Sequence, residues 1–227
     1  MRIKALLYQN ILFQYKYGFF FLYLVFCILY ISLLFMFPDN WRVQASILMI
    51  FSDPAAMGLY FMGSIVLFEK NERILDSFAI SPATNYEYVL SKLLSIAIIS
   101  IIVAFIIGSF GHAVVNPITF FVSVFLSSCL FSAVGLIIAA NISTLNQFIL
   151  KTIPAELFIN IPAIAYLFGY KPAWLIIHPG VCVIQLFLGE PHAYLSIFIL
   201  IIWTTFFVFL AKQSVTKMLA SVGGITL

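Results

Sequence analysis

Apolar runs close to the ~20 residues that cross ~30 Å of hydrocarbon recur along almost the whole chain. They fall at about residues 18–37, 54–68, 88–110, 118–140, 153–168 and 193–211. In lipid a backbone has no water to bond, so each run must satisfy its own polar groups, which a helix does. The chain is 64% hydrophobic, whereas soluble domains average roughly 45–50% apolar. A soluble domain of this length could not hide that surface. The expected fold class is an all-α polytopic membrane protein with six transmembrane helices. Residues 1–227 read as a single transmembrane domain, with no stretch left for a sizeable soluble one.

The polar residues between the runs act as punctuation. Residues 1–17 interleave Arg2, Lys4, Gln9, Asn10, Gln14 and Lys16 with apolar positions, which predicts an interfacial helix with its tyrosines at the headgroup level. This stretch lacks a small-residue cleavage site, so no cleaved leader is expected. Pro38-Asp39-Asn40 makes a turn, and Trp41-Arg42 anchors the interface. Asp53 before Pro54 is a helix-start signature: the carboxylate caps and proline takes the first turn. The second span therefore starts afresh at Pro54. Residues 43–51 are either a short outer helix or the upper half of a broken span. Thr84 and Glu87 have capping-box spacing ahead of the third span. Ser123, Ser127, Ser128, Ser132 and Gly135 give the fourth span a small-residue face suited to close packing. Residues 141–152 read as a polar connection before a fifth span that contains Pro154 and Pro162. Within 172–189, prolines leave two short apolar pieces, 173–177 and 181–188. Neither can span a bilayer, so they read as a re-entrant pair that must be buried in protein.

The densest charge lies between the second and third spans. Glu69, Lys70, Glu72, Arg73 and Asp76 all ionise, in a chain that is only 8% charged. Ile74, Leu75 and Phe78 share one helix face. Glu69 and Arg73 are spaced for a helical ion pair in the favourable acid-first order, and Pro82 disfavours helix at Ser81. The stretch predicts a short amphipathic helix over about 71–81, whose apolar stripe needs the membrane surface or a partner protein. Six spans put α-helical runs back and forth so that nine of the 11 basic residues share one side, leaving Arg42 and Lys171 on the other. The positive-inside rule makes the nine-residue side cytoplasmic, with both termini and the charged helix there.

The catalytic motifs that would give such a chain its own chemistry are missing. Gly58 and Gly63 have phosphate-loop glycine spacing, but Ser64 follows where lysine is required. GxSxG and HExxH are absent. His112, His178 and His192 lie in separate outer turns and read as turn and interface residues. Cys27, Cys129 and Cys182 form no pair spacing and read as buried free thiols. No metal, cofactor or nucleic-acid partner is expected on this chain. Asp53 and Glu156 are the acids nearest the membrane interior. Each sits at a predicted helix start, where the dipole favours negative charge. A proton or substrate role is the competing reading, because intramembrane acids are functional candidates.

This arrangement resembles the permease subunit of type 2, export-class ABC transporters. The resemblance rests on the charged start Glu69 to Arg73, then Leu75-Asp76, Phe78-Ala79, Ser81-Pro82, and Ser91-Lys92 opening the third span. The family often has glycine where Arg73 stands. The wording around Asp53-Pro54-Ala55-Ala56-Met57-Gly58 and Phe68-Glu69-Lys70 is most like fluoroquinolone-export-type permeases. The resemblance implies a bilayer-embedded permease paired with a second permease, identical or related, on two copies of an ABC ATP-binding subunit that carries the ATP and magnesium. Glu69, Glu72, Arg73, Ile74, Leu75, Asp76, Phe78, Ser81 and Pro82 would form the coupling helix, with Ile74, Leu75 and Phe78 supplying apolar contact to the ATPase. Spans two and five line the cavity in related permeases, so Asp53, Tyr60, Glu156, Asn160 and Tyr166 are candidates for the translocation path. The implied cargo is a hydrophobic or amphipathic small molecule, drug or toxin-like, exported across a bacterial plasma membrane. Two alternatives stay open: a proton-coupled secondary transporter using Asp53 and Glu156, and a membrane-embedded enzyme.

Overall fold

The structure is a computed structural model and describes residues 2–52 and 57–222. Among these residues every regular element is helical. α1 spans Arg2–Lys16, α2 Phe19–Met36, α3 Asp39–Ile50, α4 Met57–Asn71 and α5 Ile74–Ala79. α6 spans Asn85–Phe110, α7 Pro117–Ala140 and α8 Leu145–Leu167. A 3-10 turn at Ala173–Ile177 precedes α9, Pro179–Leu188, and α10, Ala193–Val222, closes the bundle.

Helices α2, α6, α7, α8 and α10 are long and apolar enough to cross a membrane. α4 has 15 residues, short of the ~20 that cross alone. Ahead of it, α3 buries Ala45, Ser46, Ile47 and Ile50 and packs beside α6, so it is not a detached outer helix. The Asp53-Pro54 start lies outside the described residues.

Strong capping chemistry sets the starts of α6 and α7. Thr84 Oγ1 accepts from the Glu87 amide, and the Glu87 carboxylate accepts from the Thr84 amide at 2.8 Å. Asn116 caps α7, with Pro117 in its first turn. The pieces expected at 173–177 and 181–188 form as the 3-10 turn and α9, and α9 is buried from Pro179 to Phe187. The cysteines are buried free thiols.

Three boundaries differ. The connection expected over 141–152 is mostly helix, because α8 starts at Leu145 under a Thr144 cap that accepts from the Gln147 amide. Pro154 therefore lies inside α8, where proline is tolerated in membrane helices because neighbouring groups can satisfy the freed backbone. α10 continues past Ala211 to Val222, since Val215, Met218 and Leu219 recur on a buried face and nothing breaks the helix. The charged stretch is two helices rather than one. Arg73 adopts φ 56, ψ 26, a left-handed conformation that ends α4 and lets α5 set off in a new direction.

α7 is the centre of the bundle, with α4, α6, α9 and α10 packed around it. Its predicted small-residue face makes this possible: Ser123, Ser127, Ser128, Ser132 and Gly135 are all buried. A Cβ on Gly135 would overlap the Leu59 backbone of α4. Conversely, Phe21, Leu24 and Ile28 of α2, Leu157 and Ile161 of α8, and Phe198 and Phe206 of α10 point outward. Such a surface is a liability in water and ordinary against lipid.

Candidate functional site

One end of the bundle gathers the charged stretch. Arg2 Nη1 donates to the Pro82 carbonyl at 2.9 Å, tying α1 to the turn after α5. Asn85 Nδ2 donates to Thr216 Oγ1 at 2.9 Å, bringing the last turns of α10 to the start of α6. Lys70 Nζ donates to the carbonyls of Ala139, Ala140 and Ile142 at 2.6–3.1 Å. A lysine there satisfies carbonyls that the C-terminus of α7 leaves open, and its charge complements the helix dipole.

Beneath α5 lies a buried polar knot. Glu69 sits at the end of α4 and accepts from Lys92 Nζ at 2.5 Å and from the Tyr88 hydroxyl at 2.7 Å. Lys92 also donates to Asn10 of α1 at 3.3 Å, and Asn10 donates to Ser91 Oγ at 3.1 Å. One turn along, Gln14 donates to Ser95 Oγ at 2.8 Å. Residues 10 and 14 therefore face 91 and 95, a polar register that seats α1 along the start of α6. The Glu69–Arg73 helical pair is not formed, because Arg73 has left the helix and Glu69 turns inward to Lys92 instead. At the surface, Tyr17 donates to Glu72 Oε1 at 2.5 Å. That bond, followed by desolvation, holds the Tyr17 hydroxyl above its ordinary pKa.

The apolar stripe of α5 is divided. Leu75 is 1% exposed and belongs to the core, so it cannot be a surface contact here as expected. Ile74 and Phe78 border a groove of about 380 Å³ between α1 and α5, together with Arg2, Gln9 and Ser77. Ser81 and Pro82 form the turn beyond it. Glu72, Arg73 and Asp76 are exposed. Ile80, which sequence reasoning did not single out, is 89% exposed beside them.

The candidate path residues separate into two groups. Tyr60 of α4 donates to the Glu156 carboxylate of α8, and both are half-buried. Since α8 begins at Leu145, Glu156 lies well inside the helix and does not cap its start. Asn160 follows one turn on, with its Oδ1 buried and without a hydrogen-bond partner. Tyr166 stands apart, in a network at the opposite end of the bundle from α5. It donates to Glu190 at 2.6 Å and accepts from Gln185 at 3.1 Å. Lys171 donates to the other Glu190 oxygen at 2.6 Å, a bond that raises the lysine pKa. Asp53 lies outside the described residues. Among the described residues no group of three or more His, Cys, Asp or Glu side chains is placed to hold a metal ion.

An all-helical bundle in which, among the described residues, five helices are long and apolar enough to cross a membrane is the architecture of a multi-pass membrane protein. The chain belongs to the fluoroquinolones export permease protein family, whose profile matches residues 1–220. It is similar to two curated proteins from two strains of Mycobacterium tuberculosis, each named a fluoroquinolones export permease protein. Both are 24% identical to it over 141 residues, which is 61% of this chain. That match covers 60% of the length of each relative.

Proposed function

We propose that this chain is the membrane-spanning subunit of an ATP-driven ABC exporter in a bacterial plasma membrane. It moves a hydrophobic or amphipathic small molecule outward by alternating access, and a separate ABC ATPase supplies the energy. The observation that carries the reading is α5. It is a short helix between α4 and α6, seated on the buried Glu69–Lys92 pair, with Asp76 and the flanking Arg73 and Ile80 exposed to the outside.

The joint surface of α5 and the α1 groove is the ATPase-docking face, with Ile74, Phe78 and Ile80 as its apolar contacts and Glu72, Arg73 and Asp76 setting register. Force delivered there reaches α4 and α6 through Glu69 and Lys92. Leu75 acts indirectly, by holding α5 to the core. Two ATPase copies, carrying ATP and magnesium, serve two permeases, the second identical or related. Six crossings follow if α3 and α4 make one between them. Arg2 and Thr216 both meet the α5 end, which supports an even number, and the excess of basic residues supports a cytoplasmic position for that end. Tyr60, Glu156 and Asn160 line the path. The name of the mycobacterial relatives makes fluoroquinolones the compounds to test first.

The test is uptake of norfloxacin into inside-out membrane vesicles containing this chain and its candidate ATP-binding subunit. ATP-dependent uptake that survives a protonophore supports the proposal. Uptake that needs a pH gradient and ignores ATP overturns it in favour of proton coupling.

A further inference from the structure

The seam between α4 and α8 has an internal order. On α4, Tyr60, Gly63, Ser64, Leu67 and Asn71 lie on one face, and on α8 so do Leu145, Phe148, Thr152 and Glu156. At the α5 end the seam opens into a cleft of about 420 Å³, bordered by Ser64, Leu67, Phe68, Asn71, Thr144 and Leu145. Its wall is mixed, with hydroxyl and amide groups beside aromatic and aliphatic ones. Deeper in, the seam is shut by Phe148, which is 1% exposed. A Cβ on Gly63 would overlap the Phe148 ring. Glycine at 63 is thus what allows the ring to lie flat against α4. Behind it lies the Tyr60–Glu156 pair, with the Tyr60 and Phe148 rings edge to face at 6.4 Å.

Among the described acids, Asp39, Glu69 and Glu190 are ion-paired to Arg42, Lys92 and Lys171. Glu72 and Glu156 are instead each bonded to a neutral tyrosine hydroxyl, but Glu72 is exposed at the α5 end, whereas Glu156 is half-buried inside α8. An acid within a membrane span is costly and is retained where it meets a cation or a proton.

We infer that the α4–α8 seam is a subsite for an amphipathic organic cation, with Phe148 on Gly63 as its gate. The apolar body of the ligand enters the cleft between Phe68 and Leu145. The Phe148 ring swings off Gly63, and the cationic group reaches the Glu156 carboxylate while Tyr60 keeps its hydrogen bond to the second oxygen. This rests on the permease reading and narrows its cargo to compounds bearing a positive charge.

The test is equilibrium and stopped-flow binding of rhodamine 6G, a fluorescent lipophilic cation, to the purified full chain in nanodiscs, with neutral Nile red as the comparison. The wild type is expected to bind rhodamine 6G saturably. Glu156→Gln weakens that binding about tenfold or more, the loss of one charge-assisted contact, and leaves Nile red unchanged, while Glu156→Asp recovers part of it. Phe148→Ala and Gly63→Ala each raise the association rate, the second because its methyl group displaces the ring. Unchanged rhodamine 6G affinity in Glu156→Gln, or no saturable binding by the wild type, overturns the cation subsite. Unchanged association rates in both gate variants overturn the gate. The assay contains no ATPase, so its failure leaves the ATP-driven reading standing, and failure of the vesicle assay leaves this subsite standing.

Discussion

Glu69 and Lys92, 23 positions apart on successive long helices, meet in an ion pair at 2.5 Å whose side chains are 8% and 2% exposed. The pair fixes the end of α4 to the start of α6 directly under α5. Removing one partner leaves the other charged and buried, which costs about 3–5 kcal/mol, whereas replacing both with apolar groups of similar volume is often nearly neutral. Lys92→Met is therefore expected to lower the thermal midpoint of the purified chain sharply, and Glu69→Leu/Lys92→Met to recover most of it. Equal loss in the single and double variants would show that the pair is not the unit holding these helices.

Leu75 and Ile80 separate stability from docking on one short segment. Leu75→Ala opens a cavity in the core and is expected to cost about 2–5 kcal/mol. Ile80→Asp changes a residue that is 89% exposed, and surface substitutions usually fall within ±0.5 kcal/mol. Thermal unfolding followed by intrinsic fluorescence distinguishes the two. A large stability loss in Ile80→Asp would mean that Ile80 packs within the chain.

Arg73 stands at φ 56, where an L side chain is strained by roughly 1–2 kcal/mol and glycine is not. Arg73→Gly is expected to keep or raise the thermal midpoint. Arg73→Val is expected to lower it, since a β-branched residue fits this conformation poorly. A glycine variant less stable than wild type would assign Arg73 a contact that outweighs the strain.

Gly135 tests the centre of the bundle. A methyl group there would run into the Leu59 backbone of α4, and backbone cannot swing aside as a side-chain tip can. Gly135→Ala is expected to cost about 1–3 kcal/mol by overpacking, read as lower yield of monodisperse protein and a lower melting point. Wild-type behaviour would mean that α4 and α7 are not locked at this distance.

Local chemistry made much of this fold legible. Thr84 and Glu87, Asn116 and Pro117, and the prolines around 173–188 fix their elements through short-range bonds that spacing alone specifies. The small residues of α7 announced close packing, although they did not say against which helix. Other features depend on partners distant in sequence. Glu69 has Arg73 at helical ion-pair spacing, yet its partner is Lys92, because a left-handed residue at 73 breaks the helix that would have aligned that pair. Pro154 looked like a helix start and hid the weaker Thr144–Gln147 cap, so Glu156 was placed at an end rather than inside α8. Periodicity gave α5 an apolar face with Leu75 on it. Which side of a six-residue helix turns inward is decided by what it rests on, and that left Ile80 outside.

The most direct test of the central claim is co-purification of this chain with its candidate ABC ATPase from detergent. Wild type is compared with an Ile80→Asp, Asp76→Lys double variant whose own melting point is checked first. Recovery of the ATPase with wild type and its loss with a folded double variant is the expected result. Equal recovery with both would place the contact away from α5. No recovery with either would contradict the reading of this chain as the membrane half of an ATP-driven exporter.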